Sequence, residues 1–344
     1  MISLSGHDPP APRIVTATPR CSAIVVSYNS AAHLPQCLSA LEAQRGVDAD
    51  IYVVDNASSD GSGELVRHRF PRVHLVENVK NVGFARGNNQ VLEQNTAEFY
   101  ALVNPDTVAS PAALAACVEY LTRDSKSGVV AVRLVYPDGT LQPSCHAFLG
   151  LRNLLGETLG AHRLAPGLRQ LSSLYMPWFA HDRIAEVDWI DGAFLVVRGE
   201  VVRTVGGFDP DFFMYGEEME WCHRIRRAGW NIVFLPDPAA VHVRGASSGP
   251  IAGPMFIENL KGRVRYLRKH RGPMVATAAR VIIAVSVLLR YAWRETQGFG
   301  LALTGRRVEE RLRLRQTSLR SATRWVLRGL PLTRPDLANF EARP

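Results

Sequence analysis

Asn104-Pro-Asp106 stands directly after an apolar run, residues 98–103. Such a run reads as a buried strand, and the proline, lacking an N–H, closes it. A carboxylate at the C-terminal tip of a strand in an alternating α/β chain sits where such sheets bind ligands. Asp106 can there hold a hard divalent cation, and the cation a diphosphate. Alone, the tripeptide is equally a good turn. Three segments upstream add to it: Val25-Val-Ser-Tyr-Asn29, Asp55-Asn-Ala-Ser-Ser-Asp-Gly-Ser62 and Asn81-Val-Gly-Phe-Ala-Arg-Gly-Asn-Asn89. Each has a plain reading, the second as turn chemistry and the third as a helix entry. Together they set an aromatic ring, two carboxylates and several amides along one sheet edge. That set suits a nucleotide: a ring to stack on the base, a carboxylate for its N–H, and an acid for the metal on its diphosphate.

The elements that must carry these groups follow from apolar periodicity. Strands are expected at residues 23–27, at 51–54 ending on Asp55, at 73–76 and at 98–103. Helices are expected at 34–43, 63–70 and 84–94, and from a Ser110-Pro111 cap to about residue 121. Leu34, Cys37, Leu38 and Leu41 share one helical face. This β-α-β-α rhythm predicts a mostly parallel, twisted sheet with helices on both faces. Tyr136-Pro-Asp-Gly-Thr140 is a turn between two strands, and residues 149–181 are a helical or irregular insertion. A strand at 189–197, a helix at 217–228 and strands at 230–235 and 240–243 complete the expected frame.

The chain has 344 residues, room for one large domain or one domain with an appendage, and its 47% hydrophobic and 21% charged content is ordinary for a globular protein. Five dispersed cysteines without metal-type spacing argue for reduced thiols and a cytosolic setting. Residues 1–20 carry four prolines and no apolar core, which reads as a loose tail rather than a signal peptide. Residues 256–330 hold 17 Lys/Arg against 4 Asp/Glu, a local charge of +13 on a body of −5. Helical patterns at 256–270, 273–293 and 308–330 mix these cations with Leu, Val, Ile and Trp. The apolar run 281–289 is shorter than the roughly 20 residues a bilayer span needs. Basic amphipathic helices with Trp and Tyr at their ends suit an anionic membrane surface; packing on their own domain or in a homodimer is the alternative. Nucleic acid is a poor partner, because neither aromatic platforms nor a reading helix accompany the basic residues.

Two downstream strings match a known pattern: Trp189-Ile-Asp-Gly-Ala-Phe-Leu-Val-Val-Arg198 and Gly206-Gly-Phe-Asp-Pro-Asp-Phe-Phe-Met-Tyr-Gly-Glu-Glu-Met-Glu-Trp-Cys-His-Arg-Ile-Arg-Arg-Ala-Gly-Trp230. With the four upstream segments, they make residues 21–248 resemble the inverting family 2 glycosyltransferases of GT-A fold. Within these, the chain is most similar to bacterial rhamnosyltransferase-like members that build cell-wall or O-antigen linkers on polyprenyl carriers. The resemblance implies that Tyr28 stacks on the base and Asp55 accepts its ring N–H. It implies that Asn81 and Arg86 position base or diphosphate, and that Asn104 and Asp106 form the metal motif with Asp106 the ligand. His242 falls where relatives carry a metal- or diphosphate-contacting histidine, a core histidine being the alternative. Trp189 and Asp191 lie on the acceptor side.

The same resemblance places the catalytic base in Glu217-Glu218. Inverting transfer needs a carboxylate to take the acceptor's proton. The family pattern is Glu-Asp, so Glu218 replaces an aspartate and adds a methylene; either Glu218 or Glu217 is the base. The implied organisation is a tail (1–20), a GT-A domain (21–248) and a helical membrane-associating region (249–344). The implied activity moves a sugar, rhamnose from dTDP-rhamnose, to a polyprenyl-linked glycan, with Mg2+ or Mn2+, at the cytoplasmic face of the inner membrane. A soluble or polysaccharide acceptor and a catalytically degenerate member are the alternatives.

Overall fold

A computed structural model describes residues 20–160, 167, 168, 171, 173–243, 252–303 and 310–332. The expected tail, apart from Arg20, lies outside the described residues. In chain order the first elements are β1 (Arg20–Ser27), α1 (Leu34–Glu42), β2 (Asp48–Asp55), α2 (Ser62–Arg69), β3 (His74–Glu77), α3 (Phe84–Leu92), β4 (Phe99–Val103), β5 (Thr107–Ala109) and α4 (Ala113–Arg123). There follow β6 (Ser127–Val135), β7 (Leu141–Gln142), β8 (Cys145–His146), α5 (Leu151–Thr158), β9 (Ala185–Glu186), β10 (Trp189–Ile190), β11 (Phe194–Arg198), α6 (Gly199–Val205), α7 (Glu217–Arg227) and β12 (Asn231–His242). The last helices are α8 (Ala252–Arg271), α9 (Pro273–Leu303) and α10 (Glu310–Leu327). The chain divides into two compact units: Met1–Phe148 with Tyr175–Phe212 and Glu217–Ser247, and Leu149–Leu174 with Phe213–Gly216 and Ser248–Pro344.

The first unit is built on one sheet in the order β3-β2-β1-β4-β11-β6-β12-β5, with β7 on β6 and β9 on β12. The pairs β3–β2, β2–β1, β1–β4 and β6–β12 are parallel, and β11 runs antiparallel between β4 and β6. Alternation along each strand separates two cores. Ala23, Val25, Val53, Ala101 and Val103 face α1 and α4, with Cys21, Cys37 and Cys117 in that layer. Ile24, Val26, Val54, Leu102 and Leu195 face Ala85 and Val91 of α3 and Trp221 and Ile225 of α7, with Cys145 and Cys222 in that layer. All five cysteines are buried free thiols.

Three local expectations are corrected. Helix α4 starts at Ala113, not behind a Ser110 cap, because the Gln44 side chain does the capping. Its Oε1 accepts from Leu114 N–H at 2.9 Å while its Nε2 donates to Ser110 carbonyl at 2.8 Å. The expected strand 189–197 is two strands, for β10 pairs with β8 in a separate ribbon and the chain turns at Asp191-Gly192 before entering the main sheet as β11. The expected pair 230–235 and 240–243 is one strand, β12, with a register shift between Leu235 and Ala239 where Pro236 and Pro238 offer no N–H.

The second unit is helical. Helices α8, α9 and α10 pack mutually, and α5 packs on α9. Met255, Val264, Leu267, Ala279, Ile283, Val287 and Trp325 are buried there. Arg263 pairs with Glu157, and Lys261 donates to Glu258 at 2.6 Å. The nine-residue run 281–289 is part of a longer apolar segment. Pro273–Trp293, 21 residues of mean hydropathy 1.7, is long and apolar enough to cross a membrane, a test that core helices of soluble proteins also pass.

Candidate active site

Register brings the quoted segments to one edge. Val25 lies opposite Val53 on one side and Val103 on the other, so the turns after Ser27, Asp55 and Val103 end together. Strand β11 starts at that edge, Phe194 opposite Val103, so Asp191-Gly192 enters there too. His242 at the end of β12 lies opposite Thr107.

At the tip of β1, half-buried Tyr28 follows the strand directly. The loop behind it is tied to the loop after β2: Asn29 N–H donates to Ser58 Oγ at 2.9 Å, and Ala31 N–H to Asp60 at 2.8 Å. Burial alone would raise the Asp60 carboxyl, but donors from Ser62 and Ala31 outweigh it and hold it below the usual carboxylate value. Asp55, buried, accepts from Ser58 N–H at 3.0 Å and from its hydroxyl at 2.5 Å. Asn81 does not reach these groups by any described bond; its Oδ1 accepts from Gly83 N–H at 2.9 Å and shapes the entry to α3. Arg86 Nε donates to the Pro210 carbonyl at 3.2 Å, tying α3 to the loop before α7.

The second cluster joins Asn104, Asp106 and His242. Asp106 Oδ1 and His242 Nε2 are 3.2 Å apart, both residues buried, and Asn104 Nδ2 is 3.4 Å from the same ring nitrogen. The other nitrogen, Nδ1, lies 2.8 Å from Gln142 Oε1. If Nδ1 donates to Gln142, the Nε2 lone pair points at a carboxylate oxygen. Burial pushes the Asp106 carboxyl up, and the hydrogen bond and charge of His242 more than reverse this. The donor set fits a divalent cation with two protein ligands, an oriented imidazole and a carboxylate, the remainder coming from a diphosphate and water. Among the described residues, no group of three or more His, Cys, Asp or Glu side chains gathers for a metal.

The third cluster surrounds Glu218 at the start of α7. Gly192 N–H donates to its Oε1 at 3.3 Å, and Asp191 is the next residue back. His146 Nε2 lies 2.9 Å from Asp191 Oδ1, its ring stacked on Trp189 at 4.2 Å. Burial, then the charge of Asp191, push the Glu218 carboxyl up to about 7, against lowering contributions from backbone donors and His146. A carboxyl with that affinity takes a proton near neutral pH, as a general base must. Glu217 is buried at 2% exposure, whereas Glu218 is only half-buried, so Glu218 is the more reachable of the pair. The remainder of the motif is structural: Trp221 Nε1 donates to Gly206 carbonyl at 2.7 Å, and Arg224 bridges Glu220 to the Val205 and Gly207 carbonyls.

Three groups at the site, Asn78, Gln142 and His146, have no sequence pattern of their own, whereas Asn56 belongs to the segment that begins at Asp55. Asn56 and Asn78 hydrogen-bond at 3.0 Å and hold the loop before α3 to the tip of β2. Gln142 and His146 are four residues apart, yet one serves His242 and the other Asp191. Only the separate pairing of β7 and β8 distributes them so.

Comparison with known proteins bears on the family and the fold. The family model for Glycosyl transferase family 2 matches residues 22–169. The N-acetylglucosaminyl-diphospho-decaprenol L-rhamnosyltransferase of Mycobacterium tuberculosis (strain CDC 1551 / Oshkosh) is 26% identical over 251 residues, covering 66% of this chain and 76% of that protein. A rhamnosyltransferase of Escherichia coli (strain K12) is 34% identical over 85 residues, 25% of this chain and 32% of that one. Among solved structures, a mannosyltransferase from Pyrobaculum calidifontis in complex with GDP-Man and Mn2+ superposes with a TM-score of 0.52 at 20% identity, over 95% of this chain and 90% of that one. Strand order and family match therefore agree: residues 22–169 match the Glycosyl transferase family 2 model on a fold shared with GT-A glycosyltransferases, which supports a glycosyltransferase enzyme.

Proposed function

We propose that the chain moves L-rhamnose from dTDP-rhamnose, with inversion, to a polyprenyl-diphosphate-linked amino sugar at the cytoplasmic face of the membrane. The observation that carries the reading is the placement of Glu218: held by Gly192 N–H at 3.3 Å beside Asp191, at the corner entering the sheet edge that also holds Asp106 and His242. The acceptor hydroxyl gives its proton to Glu218 as its oxygen bonds to the anomeric carbon. The bond from that carbon to the diphosphate oxygen breaks, and the electron pair leaves with the nucleotide. Asp106 and His242, with Asn104 beside them, would hold Mg2+ or Mn2+, which when bound neutralises the departing diphosphate's charge. Tyr28 and Asp55 bind the base, and Trp189 and Asp191 border the acceptor. The name of the mycobacterial relative supports both the sugar and the lipid-diphosphate acceptor, and the Mn2+ and GDP-Man in the mannosyltransferase complex support a metal and a nucleotide-sugar donor.

The helical unit supports membrane attachment. Helix α9 buries Ala276, Ala279, Ile283 and Val287 and exposes Val281, Val285, Leu288, Leu289 and Trp293. A helix with one face packed in protein and an apolar face outward suits the membrane interface.

The test is transfer by the purified full-length chain from dTDP-rhamnose, UDP-N-acetylglucosamine and GDP-mannose to polyprenyl-diphosphate-N-acetylglucosamine. Product should form with dTDP-rhamnose, vanish with EDTA, return with Mg2+ or Mn2+, and be lost in Asp106→Ala. Product from another donor overturns the rhamnose assignment, and transfer that ignores EDTA overturns the metal site.

A further inference from the structure

Asp191 and Glu218 are two carboxylates sharing one corner, since the Gly192 N–H that binds Glu218 belongs to the residue after Asp191. Like charges this close oppose each other's ionisation. The corner is held firmly: Asp191 N–H donates to Ser144 carbonyl at 3.0 Å, Trp189 pairs with His146 and Ile190 with Cys145. The His146 side chain is 8% exposed, its ring stacked on Trp189, and Trp189 Nε1 is fixed on Ala147 carbonyl at 3.0 Å. That packing aims Nε2 at Asp191 Oδ1, 2.9 Å away.

We propose that His146 is a positioning residue for the transfer: by engaging Asp191 through Nε2, it offsets that carboxylate's charge and leaves Glu218 ready to take the acceptor's proton. The inference rests on Glu218 being the base. Among the described residues, titratable groups that act on Glu218 include Asp191 from the corner, His146 from β8 and Cys222 one turn along its own helix. Buried Cys222 has its thiol pushed up to about 12 and stays neutral. Among the described residues, Asp191 and His146 act on Glu218 in opposite senses. A ring nitrogen engaged on Asp191 offsets that charge and favours the Glu218 carboxylate; without it, the full Asp191 charge disfavours ionisation. No proton passes through His146 to the substrate.

The experiment is the pH dependence of kcat, from pH 5.5 to 9 at saturating donor, for full-length wild type, His146→Gln, His146→Arg and Glu218→Gln. In His146→Gln the acidic limb should move up by about one pH unit, so transfer at pH 7 falls several-fold and recovers by pH 9. His146→Arg, with a permanent cation, should return the limb to the wild-type position or below it. A uniform loss at every pH, with no rescue by arginine, would mean packing alone and overturn the proposal. Should His146→Gln not fold by thermal melting, Asp191→Asn is the second probe: it removes the opposing charge, so its limb must move down, and an unmoved limb overturns the proposal. Glu218→Gln separates the two ideas. Wild-type transfer by that variant sinks the base assignment itself, whereas an inactive Glu218→Gln beside an unmoved His146→Gln limb sinks only the role of His146.

Discussion

At the scale of single residues, the site spends stability on readiness. Glu218 is an acid whose folded-state proton affinity is raised from 4.5 to about 7. Its contribution to stability is complete below its unfolded value and is lost as pH rises through about 7. Glu218→Gln never ionises and avoids that loss. Thermal melts should therefore show the variant gaining on wild type between pH 4.5 and 8, with no gain below pH 4. Transfer by the same variant should fall by roughly 10²–10⁴-fold, the usual worth of a general base, with donor binding by calorimetry retained. Glu217→Gln should be milder, because Glu217 is the more buried of the two. A Glu218→Gln protein that is inactive yet no more stable at pH 8 would mean that its carboxyl already ionises at the ordinary value.

At the scale of elements, the corner between β10 and β11 decides where Glu218, the proposed base, sits. A Cβ on Gly192 would stand 2.8 Å from Glu218 Oε1 and 3.0 Å from its Cγ. The carboxylate is a flexible end and can move aside, so Gly192→Ala should fold. Displacement of about 1 Å costs on the order of 10²-fold in rate, and kcat should fall accordingly with an unchanged melt. Normal kcat in a folded Gly192→Ala would show that the base does not depend on this corner. The corner was hidden in the sequence, since residues 189–197 read as one apolar strand and nothing local shows that β10 joins a separate ribbon with β8. The strands carrying Tyr28, Asp55 and Asp106 were legible, because buried parallel strands are short β-branched runs that stop at turn residues. The start of α4 was misread for the opposite reason: its cap is Gln44, more than sixty residues away. Asp106 and His242 could be named from their motifs, but Gln142, which orients the imidazole, lies one hundred residues from it in the chain.

At the scale of the molecule, the chain combines a sheet unit holding the chemistry with a basic helical unit holding an exposed apolar stripe. Residues 256–330 carry +13, and charge attraction to an anionic leaflet is worth about 1 kcal/mol per basic residue near the surface. Full-length protein should float with phosphatidylglycerol vesicles and release as salt rises. Val285→Asp with Leu289→Asp should release it at low salt, because both side chains are exposed at 49% and 64% and their loss spares the packed face. A variant that still floats but sediments as a smaller species would assign the stripe to a homodimer. The buried thiols carry a consequence of another kind. Burial pushes Cys21, Cys37 and Cys117 up in one layer, and Cys145 and Cys222 in the other. The native protein should therefore be silent to alkylating reagents, and each face of the sheet carries its own clock of opening: modification at Cys117 should date the loosening of one, and modification at Cys222, one turn from Glu218, that of the other.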